Sequence, residues 1–464
     1  MRIRAPLAIV VGAIALRLAV GIGFVNYDTG YSLVWGQQLA RGQTPSYGTP
    51  LAPTPHPLLE AVGFVLAPLG ARATLAIVVA LAYLSLAWLA YLVALLGARW
   101  FSWPVGVAAA ALLLSRYEVL SYGVRAYVDL PYVALVLAAL AIESRRRQAG
   151  WPVLALLALA GLLRPEAWLF AGVYWLSIQH AYSMRGRIAL AALVALAPAL
   201  WVLSDGLITG HPLWSLTNTR STAKELHRAT GIANVPYYGA RRLGEVLGQD
   251  GLVGAAVGGV LALWLTRSRA LLGAAAAVVA LVAFAIIAAA GLPIQDRYVF
   301  LMAAIGLVFA GAGLFGWRSL AADDPHRRLW QAASAVIAVA ILSSIAWDVP
   351  RFHKTFASSN PADQSLDAQQ RIANDLVALV PHAHCLPVSV PFATPVPLLA
   401  LYLHTSPANV KVAQIGRGTI IVPANAGVRT TYLLDPHDLR ITQRIGPGFR
   451  QVAANRSWRV YSTC

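Results

Sequence analysis

The chain has 464 residues, 58% of them hydrophobic and 12% charged, with a mean hydropathy of +0.63. Such a balance excludes an ordinary soluble globular protein and points to a polytopic membrane protein built from apolar helices of about 20 residues. The formal net charge of +17 is not a nucleic-acid footprint, because the excess Arg lies in short clusters between apolar segments rather than along one stripe.

The first apolar segment, 6 to 25, follows the basic start MRIR as a signal peptide would, but has no small-residue cleavage site. Arg17 interrupts it and must face protein, water or the interface, at a cost of about 2.5–3.5 kcal/mol on insertion scales. The segment is therefore taken as helix one. Ten further membrane helices are expected near 72–98, 103–115, 129–143, 151–163, 167–182, 188–204, 251–266, 270–291, 298–316 and 329–347. Two of them, 103–115 and 151–163, are short and need their polar flanks to complete a crossing.

Arginine clusters fall at alternate connections: Arg2 with Arg4, Arg99, Arg145 to Arg147, Arg185 with Arg187, Arg267 with Arg269, and Arg318 with Arg327 and Arg328. This is a positive-inside pattern, and it sets the N-terminus in the cytoplasm. About eleven crossings then put the loops 26–71 and 205–250, the turns 116–128, 164–166 and 292–297, and everything after 347 on the opposite side.

Beyond 347 the composition becomes polar, with short β-rich runs CLPVSV, VKVAQI, TIIVPA, TTYLLD and WRVYST around the helical segment PVPLLALYLH. The expected organisation is a mainly α membrane bundle over 1–347 and a small extracytoplasmic α/β domain over 348–464. Both cysteines, Cys385 and Cys464, fall in that domain. In an oxidising compartment they are candidates for a disulfide stapling the last strand; two separate buried thiols are the alternative.

Among polar residues, two acids stand out. Asp28 follows helix one, and Asp129 starts helix four just before Leu130 and Pro131. Each alone reads plainly as a helix cap. Together they share one side of the membrane with Arg116, Arg125, Tyr117 and Tyr127 in the stretch RYEVLSYGVRAYVD. Carboxylates with cations around them suit a substrate that has a nucleophilic hydroxyl and an anionic leaving group: the acid takes the hydroxyl proton and Arg or His stabilises a departing phosphate.

The order of these parts resembles the GT-C class of membrane glycosyltransferases, which use polyprenyl-phosphate-linked sugar donors on the extracytoplasmic face. The resemblance lies in Asp28 and Tyr31 with LARGQTPSYG and HPLL in loop one, RAYVDLPYVALVLAAL at 125–140, LLRPEAW at 162–168, TGHPLWSLTNT at 209–219 and DRYVFLMAAIGLV at 296–308. It implies Asp28 as the catalytic base and maps the second acid on Asp129. One departure is that Asp28 is followed by Thr29 and not by another acid. No metal ligands are assigned, since lone carboxylates and scattered histidines form neither an octahedral nor a tetrahedral set; no cofactor is predicted and metal dependence is left open.

Arg297 and Tyr298, opening helix ten, and His56 are candidates for the donor phosphate; an interfacial anchor and a plain loop histidine are the other readings. Arg116, Glu118 and Arg125 are further substrate-binding candidates, as are Arg164 and Glu166, which also fit a structural pair. Loop 205–250 carries NTRSTAKELHRATG and VPYYGARRLGEVLG, segments with helical spacing that read either as a solvated amphipathic connector or as surface helices covering a pocket, with His211, Arg220 and Lys224 as candidates in the second case.

The expected partners are the polyprenyl-phosphate sugar, a glycan, lipid or protein acceptor and the lipid bilayer, with no nucleic acid; the expected location is the cell membrane. A lipid-linked glycan transporter or flippase and a non-catalytic envelope assembly factor are the competing readings. The first is disfavoured because no repeated halves are visible and the polar residues collect at one face. High Ala, Arg and Trp with few Lys points to a high-GC actinobacterial envelope, hence mannose or arabinose donors.

Overall fold

Fifteen helices precede the C-terminal unit in the computed structural model, which describes residues 4–357, 365–435, 437–438 and 441–464; Arg2 lies outside these. They are α1 (Arg4–Val20), α2 (Tyr27–Ala40), α3 (Pro57–Leu66), α4 (Gly70–Trp100), α5 (Trp103–Leu114), α6 (Tyr117–Val124), α7 (Asp129–Arg145) and α8 (Trp151–Gly161). The series continues with α9 (Glu166–Ile178), α10 (Met184–Thr209), α11 (Trp214–Glu225), α12 (Ala240–Leu265), α13 (Arg267–Ala289), α14 (Phe300–Phe315) and α15 (His326–Ala357).

Eleven of these occupy the segments expected to be membrane helices. Of the other four, α2, α3 and α6 lie in stretches read as loops and turns, whereas α11 overlaps NTRSTAKELHRATG, which was expected to be helical. Among the described residues five helical stretches are long and apolar enough to cross a bilayer, or six if α5 and α6, bent by 66°, form one broken span. Length and composition thus account for part of the eleven crossings expected, and α1 and α8 are apolar but short.

Local chemistry sets many of the boundaries. Asn26 caps α2 by accepting the Thr29 amide, and Ser183 caps α10 by accepting that of Gly186, while Gly210 ends α10 in the left-handed region at φ 77°. Pro57 opens α3, where its missing N–H costs nothing. Helix α2 crosses α3 closely enough that a Cβ on Gly36 would overlap the Glu60 carbonyl, so only glycine permits this approach.

The C-terminal unit holds α16 (Leu366–Ala378), β1 (Val388–Ser389), α17 (Pro395–Tyr402), β2 (Val410–Lys411), β3 (Thr419–Pro423), α18 (Ala426–Thr431), β4 (Arg450–Ala454) and β5 (Trp458–Ser462). One sheet in the order β2-β1-β3-β5-β4 results. Strand β1 runs parallel to β2 and β3, and β5 runs antiparallel to β3 and β4. The segment TTYLLD, expected as a strand, instead finishes α18 and continues irregularly, because the Asn425 side chain caps that helix on the Val428 amide. Strand β4 was not expected: it is an edge strand exposed along nearly its whole length, without the apolar alternation that marks a half-buried strand. Cys385 and Cys464 are joined with Cα atoms 6.0 Å apart, tying the approach to β1 to the end of β5.

Two apolar cores result. One fills the helix bundle around Leu86, Val93, Val136 and Leu307. The other unites α2 with the C-terminal unit through Tyr31, Trp35, Phe392, Leu399 and Trp458. Tyr27, Tyr31 and Trp35 recur every fourth residue on one face of α2, with ring centroids 5.0 and 5.2 Å apart, and Trp35 continues onto Tyr47 at 4.8 Å. The first loop is therefore a folded platform packed between α3 and helix α17 of the C-terminal unit, and Asp28 sits in the first turn of its helix.

Candidate active site

Asp28 lies in the wall of a cavity of about 260 Å³. Six parts of the chain converge there: Tyr27 and Asp28 from α2, Leu51 to Thr54 from the stretch between α2 and α3, Tyr122, Arg125 and Tyr127 from α6 and the turn after it, Thr222 and Arg228 from α11 and its exit, Gln295, Arg297 and Tyr298 ahead of α14, and Leu434 with Asp435 from the C-terminal unit. The lining is mostly polar, with three guanidiniums facing two carboxylates.

Arg297 forms an ion pair with Asp28, and its Nε donates to the Gln295 side chain at 2.9 Å. Burial by itself pushes the Asp28 carboxyl up, but the Arg297 guanidinium reverses this and holds it below the usual carboxylate range. Asp28 is thus ionised and masked by its partner. Arg228 is likewise paired, with Asp435 at 3.2 Å. Arg125 differs: it is clasped by the Ser121 carbonyl and hydroxyl at 3.1 and 2.8 Å and lies 4.9 and 5.0 Å from the Tyr122 and Tyr127 ring centres. Among the described residues no carboxylate pairs with it, which leaves it the cavity cation most open to an anionic ligand.

Behind this wall is a second, fully buried charge cluster. Asp129 lies 3.0 Å from one Arg164 nitrogen, and Glu166 lies 2.9 Å from another. Neither Asp129 oxygen makes an aligned hydrogen bond, so its contact with Arg164 is ionic. The Arg164 guanidinium stacks 4.3 Å from the Tyr298 ring centre, and Tyr298 faces the cavity. His56 is buried nearby at the start of α3, where burial and the Arg164 charge push its imidazole down to about 3. It is neutral at physiological pH and carries no charge for a phosphate.

Of the residues singled out in the sequence, Asp28, Arg125, Arg297 and Tyr298 therefore meet in one cavity, whereas Asp129, Arg164, Glu166 and His56 lie behind its wall. Arg116 and Glu118 line a different, larger cavity, and Arg116 is held there by Asp250 at 2.9 and 3.0 Å. Arg220 turns to the Ala290 carbonyl, and His211 stacks on Trp214 with centroids 6.3 Å apart; neither these nor Lys224 line the site. Tyr122, Arg228, Asp296 and Asp435 were not singled out. Tyr122 donates to Asp296 at 2.8 Å, fixing the α14 entry against α6. Among the described residues no group of three or more His, Cys, Asp or Glu is arranged to hold a metal ion.

No family model matches this chain, and no curated protein does. Among solved structures, the chain is similar to ArnT from Cupriavidus metallidurans bound to undecaprenyl phosphate. The likeness has a TM-score of 0.57 at 14% identity and covers 99% of this chain and 98% of that one. The chain therefore shares the fold of that structure, and the expected architecture, a mainly helical membrane bundle followed by a unit with a small sheet, is borne out.

Proposed function

We propose that this protein transfers a sugar from a polyprenyl-phosphate-linked donor to an acceptor hydroxyl on the extracytoplasmic face of the membrane. The observation that carries this reading is the ion pair of Asp28 and Arg297 in a cavity that also offers the unpaired Arg125 guanidinium. The fold likeness to a protein bound to undecaprenyl phosphate supports a lipid-linked phosphate as the anionic ligand.

In this reading Arg125 and Arg297 bind the donor phosphate. As the phosphate draws Arg297 away, Asp28 loses its masking charge and becomes more basic, so that donor binding switches on the base. The acceptor oxygen attacks the anomeric carbon and gives its proton to Asp28. The bond from that carbon to the phosphate oxygen breaks, and the charge left on the polyprenyl phosphate is held by the two guanidiniums. Tyr298, backed by Arg164, shapes the donor side, and Asp129 and Glu166 keep Arg164 in place.

The positive-inside pattern supports an external position for the cavity and the C-terminal unit. The testing experiment is transfer in membranes from a panel of radiolabelled polyprenyl-phosphate sugars, headed by mannose and arabinose. Label should pass from at least one donor into a glycan, lipid or protein acceptor, and no transfer from any polyprenyl-phosphate donor would overturn the reading.

A further inference from the structure

The larger cavity, about 690 Å³, has no part in the reaction described above. It lies between α6, the first half of α12 and the last turns of α15. Small-molecule sites usually occupy about 300–1,000 Å³. At about 260 Å³ the cavity at Asp28 has room for one reacting headgroup and little more.

Helix α6 connects the two spaces. Tyr117 and Glu118 line the larger and Tyr122 the smaller. Glu118 and Tyr122 are four residues apart, hence on one helix face and about 6 Å apart along its axis. Successive turns of α6 thus serve the two compartments, and the Tyr122 side chain on the smaller is fixed by its hydrogen bond to Asp296.

The chemistry of the larger compartment selects its ligand. Its cations are already taken: Arg116 is bound by Asp250 at 2.9 and 3.0 Å and by the Leu247 carbonyl at 2.6 Å, and Arg241 pairs with Glu245 at 2.9 Å. Gly248, at φ 73°, kinks α12 around the Arg116 pair, and a Cβ there would overlap both partners. Among the described residues this compartment thus offers a phosphate no guanidinium without a carboxylate partner, such as Arg125 supplies in the smaller cavity. The Glu118 carboxylate, by contrast, has no hydrogen bond or ion pair among the described residues, and an acyl chain laid over it would strand it away from water. Beside it stand the Gln249 amide and an aromatic wall, with Tyr117 edge-on to Phe356 at 5.6 Å and Phe356 stacked on Phe352 at 4.4 Å. Carboxylate and amide suit hydroxyl groups, and aromatic faces suit the C–H faces of a neutral sugar ring.

We infer that this compartment is a distal acceptor subsite, holding a sugar unit away from the reacting hydroxyl, so that the acceptor is a glycan of at least two units. The inference rests on the sugar-transfer reading for the word acceptor, while the sugar-binding site itself is testable without transfer.

The probes are methyl glycosides of one, two and three hexose units, in gluco and manno configuration, titrated into purified protein in nanodiscs. Affinity should rise about tenfold from one unit to two in at least one configuration. Two variants check the location. Gly244 lines the cavity and has nothing within 4 Å of an added Cβ, so a side chain can start there without a clash, and Gly244→Trp puts an indole where the sugar would lie. Glu118→Ala removes the carboxylate. Each should abolish the gain from the second unit. Equal affinity for all lengths, or a gain that survives both variants, overturns the proposal. Chain-length-dependent binding without transfer from any donor would refute the sugar-transfer reading and leave the subsite standing; transfer that depends on Asp28, without that binding, would do the reverse.

Discussion

Consider the buried trio of Asp129, Arg164 and Glu166, whose stoichiometry of two carboxylates to one guanidinium gives an ordered prediction. Asp129→Asn removes one charge yet leaves Arg164 paired with Glu166 at 2.9 Å. Arg164→Gln leaves two carboxylates facing each other in a site where Asp129 has no solvent exposure. Breaking an isolated buried pair costs about 3–5 kcal/mol because a charge is stranded. The arginine variant strands two and should meet or exceed that cost, whereas the asparagine variant strands none and should cost about 1.5–3 kcal/mol, the value of a lost charge-assisted contact. Arg164 also supports Tyr298 at the cavity wall, so Arg164→Gln should weaken donor binding as well, and Arg164→Lys should restore part of the stability but not the flat stacking. The assay is unfolding of the purified variants in one detergent, paired with transfer kinetics. Greater destabilisation by Asp129→Asn than by Arg164→Gln, or loss of transfer in Asp129→Asn as complete as in a base variant, would refute this division of roles.

Three further outcomes are expected. Because Arg297 holds the Asp28 carboxyl below its usual range, the acid limb of kcat/KM, which reports free enzyme, should lie at lower pH than the acid limb of kcat, where phosphate competes for Arg297; in Arg297→Gln the free-enzyme limb should move up in pH and donor KM should rise, and coincident, unmoved limbs would contradict the masking. With Cys385 and Cys464 bonded, the native protein should resist thiol alkylation until reduced, and prompt labelling of unreduced protein would remove the disulfide. A reporter fused after Cys464 should be active only on the extracytoplasmic side, and cytoplasmic activity would reverse the assigned orientation.

What could be read directly from the chain was governed by sequence-local signals. Apolar runs near bilayer length located the helical segments, since no other arrangement satisfies so many backbone groups in lipid. Asp28, Arg125, Arg297 and Tyr298 were recognisable because each stands at the polar end of such a run, and the bundle brings those ends together. Helix α2 was hidden: Gly30 and Gly36 weaken its propensity, and its face of Tyr27, Tyr31 and Trp35 is explained only by the distant C-terminal unit that shares its core. Arg228 was hidden for a similar reason, because the carboxylate that holds it, Asp435, is 207 residues further along the chain. Arg116 needed the structure as well, because a buried arginine at a helix end looks the same in sequence whether it is open to a ligand or, as here, held by Asp250. The division between Asp28 and Asp129 also needed three dimensions, since both open helices and both pair with an arginine, but only Asp28 lines a cavity.

The most direct test of the account is turnover in Asp28→Asn at equal membrane levels of protein, with a saturating polyprenyl-phosphate sugar donor. The substitution keeps the shape of the side chain and removes its basic charge, leaving donor binding to Arg125 and Arg297. Transfer should fall by about 10² to 10⁴ while donor binding is retained or tightened, because Arg297 no longer has to leave a carboxylate. Near-normal turnover in that variant would contradict the account and show that the acceptor proton goes elsewhere.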